Sequence, residues 1–308
     1  MQKKRKRWDV WLVECLLRPF RLLPLGFHYA CGRGLAWFLE KVMHYRRDVV
    51  FINLSRSFPD KKYQEIRAIA KDFYRHLGDL FAEAIWFGGC RGDRGRKRLS
   101  RSHLVEFVNP EVLNAAADRG KGTILMMSHS GNWELFGGIA QYYYDVPLGI
   151  RHDGVAVVYK EMTSKFWDCF LEYNRCAPEL DTSFDGYVES KDVLRFAVKH
   201  RHDNFVYAFN NDQFPYKGAQ KYDVGEFMHQ PTLAMGGAAV LAAKMGMTVL
   251  YLRWERPERG HWKVTLVPLA EDASAVTPES VMKQYYALLQ EDLEKDPSNY
   301  LWTHKRWK

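Results

Sequence analysis

Residues 60–87, DKKYQEIRAIAKDFYRHLGDLFAEAIWF, place Ile66, Ile69, Phe73, Leu77, Leu80, Phe81 and Ile85 at helical spacing behind a Pro59-Asp60 start. Residues 8–90 as a whole read as helical. Beyond Gly88-Gly89 the pattern changes. EFVN (106–109), GTILMMS (122–128), VAVVY (155–159), FVYAF (205–209), MTVLYLRW (247–254) and WKVTLVPL (262–269) are short apolar runs that read as strands. Stretches at 132–143, 161–174, 188–200, 232–245 and 277–294 read as the helices between them. This alternation predicts an α/β fold with a mixed, largely parallel central sheet flanked by helices. There is no internal repeat and no low-complexity linker. The expected organisation is a basic, amphipathic segment over 1–45, then one domain over 46–308 that is helical at 46–90 and α/β at 104–308.

The first segment raises a membrane question. Lys3, Lys4, Arg5, Lys6 and Arg7 precede a long apolar stretch broken by Asp9, Glu14, Arg18, Arg21 and Arg33. No run approaches the roughly 18 uncharged apolar residues that a spanning helix needs. The pattern fits a helix lying in the membrane interface. Trp8, Trp11, Leu12, Leu16, Leu17, Phe20 and Leu23 would meet acyl chains while the cations meet anionic headgroups. A second basic run, RGDRGRKRLSR (91–101), reads as a loop by its glycines and would add to the same face.

Composition narrows the partners. Of the 308 residues 47% are hydrophobic and 15% aromatic, which excludes disorder and suits either a rich core or contact with acyl chains. A formal net charge of +8 calls for an anionic partner: nucleic acid, an acidic lipid surface or an acidic carrier protein. No RNA-binding signature, Cys/His finger or basic-leucine repeat is present, so nucleic acid is not expected. The five cysteines, Cys15, Cys31, Cys90, Cys169 and Cys176, are scattered and odd in number, as suits a reducing environment without a disulfide framework. His, Cys, Asp and Glu nowhere cluster at metal-ligand spacing, so neither metal nor cofactor is expected.

The chemistry concentrates in GTILMMSHSGNWELFGG (122–138), where a buried-looking strand ends on His129 and Glu134 follows five positions later. On a continuous helix those two residues would stand about 140° apart, so a turn has to lie between them. Ser130-Gly131 supplies it, and Asn132 can cap a helix whose first turn holds Glu134. Both side chains then sit at the carboxyl end of a strand, where open α/β sheets bind ligands. An imidazole beside a carboxylate is a general base suited to taking a proton from an alcohol, and helix-start amides nearby could stabilise an oxyanion. GxSxG, HExxH, a P-loop and a post-strand GxGxxG are all missing, which counts against a nucleophile elbow, zinc hydrolase, NTPase and dinucleotide enzyme.

These residues resemble the lipid A biosynthesis acyltransferases, the lauroyl or myristoyl transferases of Gram-negative bacteria, within the wider lysophospholipid and glycerolipid acyltransferase superfamily. NLSRSFPDKKYQEI (53–66) resembles the family's N-terminal helical signature and SHSGNWE (128–134) its His-x4-Glu block. NNDQ (210–213), EFMHQPTLAMGGAAVLAAKMG (226–246) and PSNYLWTHKRWK (297–308) resemble later blocks, the last being the most specific. The resemblance implies acyl transfer from acyl carrier protein to a hydroxyl of a lipid A precursor, with no covalent enzyme intermediate, at the cytoplasmic face of the inner membrane. It makes His129 the base and Glu134 its orienting partner. Lys160, Arg175, Asp212, Gln213 and Asn132 are the candidate substrate-binding residues, and His304, Lys305 and Arg306 would lie near the site or support the fold.

Two departures bear on the acceptor. Lys160 in VAVVYKEM stands where the family more often has an arginine, and a lysine keeps the charge but loses bidentate geometry, a role Arg175 could share. SHSG replaces a more usual His-Phe-Gly. A lysophospholipid or aminolipid acceptor therefore stays open, as do a thioesterase in which His129 activates water and a non-catalytic peripheral membrane protein.

Overall fold

The computed structural model describes residues 7–142, 145–151, 153–179, 184–217, 219 and 221–307. The cations at 3–6 and the end of the helix expected at 132–143 lie outside them. The α-helices are α1 (Trp8–Arg21), α2 (Leu25–Trp37), α3 (Arg47–Ser57), α4 (Tyr63–Phe87), α5 (Gly92–Arg101), α6 (Pro110–Asp118), α7 (Lys165–Arg175), α8 (Val193–Lys199), α9 (Gly237–Met245) and α10 (Pro278–Lys295). The strands are β1 (Val105–Phe107), β2 (Thr123–Met127), β3 (Val155–Tyr159), β4 (Tyr187–Glu189), β5 (Val206–Asn210), β6 (Lys221–Phe227), β7 (Gln230–Met235), β8 (Thr248–Glu258) and β9 (His261–Ala270).

Seven strands form one sheet in the order β1-β9-β8-β2-β5-β3-β4. From β8 to β4 all neighbours run parallel, and only the β8–β9 hairpin is antiparallel. The expected mixed, largely parallel sheet is therefore present, and all six expected strands belong to it. At its centre β2 is buried at all five positions, which is why its sequence is a continuous apolar run.

The helical half packs on this sheet through α4. Ile66, Phe73, Leu77 and Leu80 are buried as the period requires, Ile69 and Ile85 are half-buried, and Phe81 is exposed. Glu65 accepts a hydrogen bond from the Lys62 amide at 2.8 Å and closes the helix start. α2 crosses α4 at Gly32 and Gly78, so closely that a Cβ on either would collide with the other's carbonyl. α1 is fastened by a buried ion pair in which Arg21 donates to Glu14 at 2.9 and 3.0 Å and to Asn174 of α7 at 2.9 Å. Its outer side is apolar: Trp8 is 78% and Leu16 69% exposed, and Trp11, Leu12 and Leu23 are also exposed, while Leu17 and Phe20 are half-buried. Phe27 of α2 extends this face, its ring centre 5.4 Å from that of Phe20, and Trp37 and Phe38 farther along are exposed too. Among the described residues, no helix is long and apolar enough to cross a membrane.

Four local expectations are corrected. The basic run at 91–101 is the helix α5 instead of a loop. Gly95 there is a close-approach residue, lying against the Cys90 backbone where no Cβ fits, and Leu99 is fully buried. The helix after Asn132 is a 3₁₀ helix, Trp133–Gln141, containing the weak helix formers Gly137 and Gly138, which pack against Arg175 and Phe87. Residues 188–200 hold the edge strand β4 before α8, and 232–245 begin in β7 before α9. In β7 the inward side chains include Gln230 and Thr232, so its alternation is one of burial and not of hydrophobicity.

Candidate active site

The site grows from the carboxyl ends of β2 and β5. Past Met127 the chain turns at Gly131, whose φ of +64° and contact with the Trp254 indole leave room for no side chain. The expected turn between His129 and Glu134 is thus present. The Asn132 side chain accepts from the Glu134 amide at 3.3 Å, and its own amide donates to Glu83 at 2.8 Å.

Strand register explains what His129 meets. β2 pairs with β5 in parallel, Met127 opposite Asn210, and the ladder continues as the Asn211 amide donates to the Met127 carbonyl at 3.0 Å. Two residues beyond each strand, His129 faces Asp212. The imidazole Nδ1 lies 2.8 and 3.1 Å from the two Asp212 carboxylate oxygens, and Nε2 lies 3.0 Å from the Gln213 amide nitrogen. An ionised Asp212 accepts only, so Nδ1 carries the proton and Nε2 presents a lone pair, which takes a hydrogen bond from Gln213. Trp133 stands edge-on to the imidazole, ring centres 4.8 Å apart. Burial opposes ionisation of Asp212, but its electrostatic interaction with the His129 ring and the hydrogen bonds it accepts from His129 hold the carboxyl below its ordinary 3.8.

Glu134 takes a different place from the one its spacing suggested. Its carboxylate is gripped by Arg175, Nε at 2.7 Å and Nη2 at 2.6 Å, and accepts from the Trp133 indole at 3.0 Å. Against the cost of burial, Arg175 holds the Glu134 carboxyl below its ordinary 4.5. Glu134 therefore reaches the imidazole through Trp133 and through its charge, while Asp212 makes the hydrogen bond to Nδ1. With its guanidinium on Glu134 and near the Tyr187 hydroxyl, Arg175 is committed to an internal pair. Asn132 is fully buried with both ends of its amide engaged, which leaves it no group to offer a substrate.

Lys160 follows β3, next to β5, and is exposed, its ammonium 4.0 Å from the centre of the Tyr216 ring. The helix-start amides are mostly spoken for: Ser130 donates to Ser128, Gly131 to Asn299, Glu134 to Asn132 and Leu135 to the Asn132 carbonyl.

Several contributors are not evident from the sequence pattern. Glu83 of α4 is fully buried and receives Tyr29 at 2.6 Å and Asn132 and Trp262 at 2.8 Å each. Its signal was a charge on the apolar stripe of an amphipathic helix. Burial pushes its carboxyl up, and Arg256 and the three donors pull against that. The C-terminal block clamps the His129 loop: Asn299 accepts from the Gly131 amide at 2.8 Å and the Leu301 amide donates to the His129 carbonyl at 3.0 Å. Tyr300 is fixed as a neutral phenol, its acidity suppressed by burial and then by the Asp212 carboxylate. Arg306 is buried on Tyr286 and the Leu233 carbonyl, the His304 carbonyl accepts from Asn53, and Lys305 is exposed. Of these, Arg306 and His304 support the fold. Among the described residues, no group of three or more His, Cys, Asp and Glu could hold a metal ion.

A family model described as bacterial lipid A biosynthesis acyltransferase matches residues 2–308, essentially the whole chain. No curated protein matches it.

Proposed function

The chain belongs to the bacterial lipid A biosynthesis acyltransferase family, and from that premise we propose that it moves a fatty acyl group from an acyl carrier protein thioester to a lipid A precursor hydroxyl, with His129 as general base. The observation that carries this reading is the imidazole whose Nδ1 rests on buried Asp212 and whose Nε2 lone pair takes a hydrogen bond, among the described residues, only from the Gln213 amide.

The acceptor hydroxyl displaces the Gln213 amide and gives its proton to Nε2 as its oxygen attacks the thioester carbonyl. Asp212 stabilises the imidazolium that forms, at close range and away from water. The tetrahedral intermediate collapses by expelling the carrier's thiolate, which takes the proton back from Nε2. No enzyme atom is acylated. Gln213, released from the imidazole, and Lys160 at the rim are the donors available to the oxyanion. Glu134 and Arg175 hold Trp133 against the imidazole face. The basic, apolar N-terminal helices supply a surface suited to an anionic inner membrane, approached from the cytoplasmic side, and the net charge suits an acidic carrier protein.

Acyl transfer from a panel of acyl carrier protein thioesters to a tetra-acylated lipid A precursor tests this. Wild type should form product, and His129→Ala should lose several hundredfold, within the roughly 10²–10⁴ contribution of general acid-base catalysis. Product only with a lysophospholipid or aminolipid would keep the mechanism and reject the acceptor. An undiminished His129→Ala rate would reject the base.

A further inference from the structure

α5 takes no part in the chemistry proposed for His129, yet it carries four cations on one side. Arg94, Lys97, Arg98 and Arg101 follow the i, i+3, i+4, i+7 spacing of a single helical face. Arg98 is anchored, donating to the Arg21 carbonyl at 2.9 Å and the Leu23 carbonyl at 3.1 Å with its guanidinium 4.5 Å from the Trp86 ring centre. Arg94, Lys97 and Arg101 are exposed and have no hydrogen-bond or ion-pair partner among the described residues.

These cations overlook a cavity of about 690 Å³ whose other wall is apolar, formed by Leu22, Pro24, Leu25 and Trp86. A second cavity of about 540 Å³ shares Leu22, Arg94 and Arg98 with it and runs on to Trp11 and Arg18 of α1. The two make one groove, cationic along α5, apolar along the α1–α2 connection, and lined on its outer side by the exposed Trp11 and Leu22 of the apolar N-terminal face. The carboxylate lining it, Glu14, is already neutralised by Arg21 and Arg91. Three unpaired cations facing an apolar wall match an amphiphile with a phosphate at one end and hydrocarbon at the other.

We propose that this groove binds an anionic phospholipid of the bilayer, its phosphate held by Arg94, Lys97 and Arg101 and its chains lying along Leu22, Leu25 and the outer side of α1. The proposal rests on the membrane-facing reading of the N-terminal helices but not on the acyl transfer chemistry. The continuity of the groove with that apolar face favours a lipid over the acidic surface of a carrier protein, which would leave the hydrocarbon wall uncovered.

The test is co-sedimentation of the full-length protein with phosphatidylcholine vesicles, with and without phosphatidylglycerol. It compares wild type, a triple variant Arg94→Gln, Lys97→Gln and Arg101→Gln, and a charge-matched control Lys121→Gln, Arg195→Gln and Lys244→Gln, whose side chains are exposed elsewhere. The α5 variant should lose roughly a hundredfold in affinity for phosphatidylglycerol vesicles, about fivefold for each cation removed near an anionic surface, and the control only a few-fold. Thermal melts verify that both remain folded. Equal losses in the two variants would reduce the effect to net charge and overturn the site. So would unchanged vesicle binding with a weakened interaction with acyl carrier protein. Because the readout is binding, failure here is distinguishable from failure of the catalytic assignment.

Discussion

The carboxyl end of the central sheet and the outer side of α1 and α2 treat exposed chemistry in opposite ways. Around His129 a set of polar side chains is wholly or largely withdrawn from water and paired within the chain: Asp212 on the imidazole, Asn132 on Glu83, Glu134 on Arg175, Asn299 on Gly131. On the N-terminal side, large apolar side chains and unpaired cations stand in the open. A buried polar group without a partner costs free energy, so the first region had to be completed within the chain. An apolar patch of that extent beside cations is the mark of a surface completed by something outside it. One region fixes geometry within the chain and the other, on the proposed reading, meets a bilayer, so substitutions should separate the two.

The largest separation is expected from Asp212→Asn. The amide keeps the shape but no longer forces the proton onto Nδ1, nor stabilises the imidazolium, so turnover should fall about 10²–10³-fold. Vesicle binding should not change. The same residue sets a pH signature. Asp212 and Glu134 have carboxyls held below their ordinary 3.8 and 4.5 in the folded protein. Their contribution to stability is therefore present above those ordinary values and is lost as the pH falls through the lower, folded ones. Urea midpoints measured from neutral pH downwards should decline on the acid side, with a shallower slope in Asp212→Asn. A wild-type midpoint indifferent to acid would break the claim that the buried pairs hold this region.

Asn299→Ala is the next test, and it asks whether the C-terminal block positions the base. Without the Asn299 oxygen the Gly131 amide is left buried and unpaired, at a cost of about 1–3 kcal/mol in stability. Turnover should fall roughly tenfold through the displaced His129 loop, with KM for the acyl donor and the pH profile unchanged. A loss of stability without that drop in turnover would make Asn299 a fold residue only.

What the sequence revealed follows the reach of each interaction. The turn at Gly131 and the cap at Asn132 are local, set by residue types within five positions, and both are present. The partner of His129 is not local. Asp212 is 83 residues away and is brought in by the β2–β5 register, so only resemblance to a family pointed to its neighbourhood. Glu83 and Asn299 had no legible role because a buried polar group declares itself only when its partners are in place. The hairpin β6–β7 escaped the hydrophobic pattern because Gln230 and Thr232 point inward. In α5 two glycines suggested a turn, whereas Gly95 admits close packing on Cys90.

The smallest effect is expected from Leu16→Ser, and it probes the other half of the comparison. Leu16 is 69% exposed on α1, so it contributes little packing to the fold, and surface changes of this kind alter stability by no more than about 0.5 kcal/mol. On a bilayer the same side chain would lie among acyl chains, where its removal costs about 1 kcal/mol, or roughly fivefold in vesicle affinity. The chemical denaturation midpoint and turnover on a detergent-dispersed acceptor should therefore match wild type while vesicle binding weakens. That combination cannot come from damage to the helix, because α1 is held on its inner side by Arg21 on Asn174 of α7 and by Arg91 on Glu14, which the substitution does not touch. A drop in stability with vesicle affinity intact would mean that Leu16 meets protein and not lipid, and the apolar side of α1 would then belong to an interface with another chain.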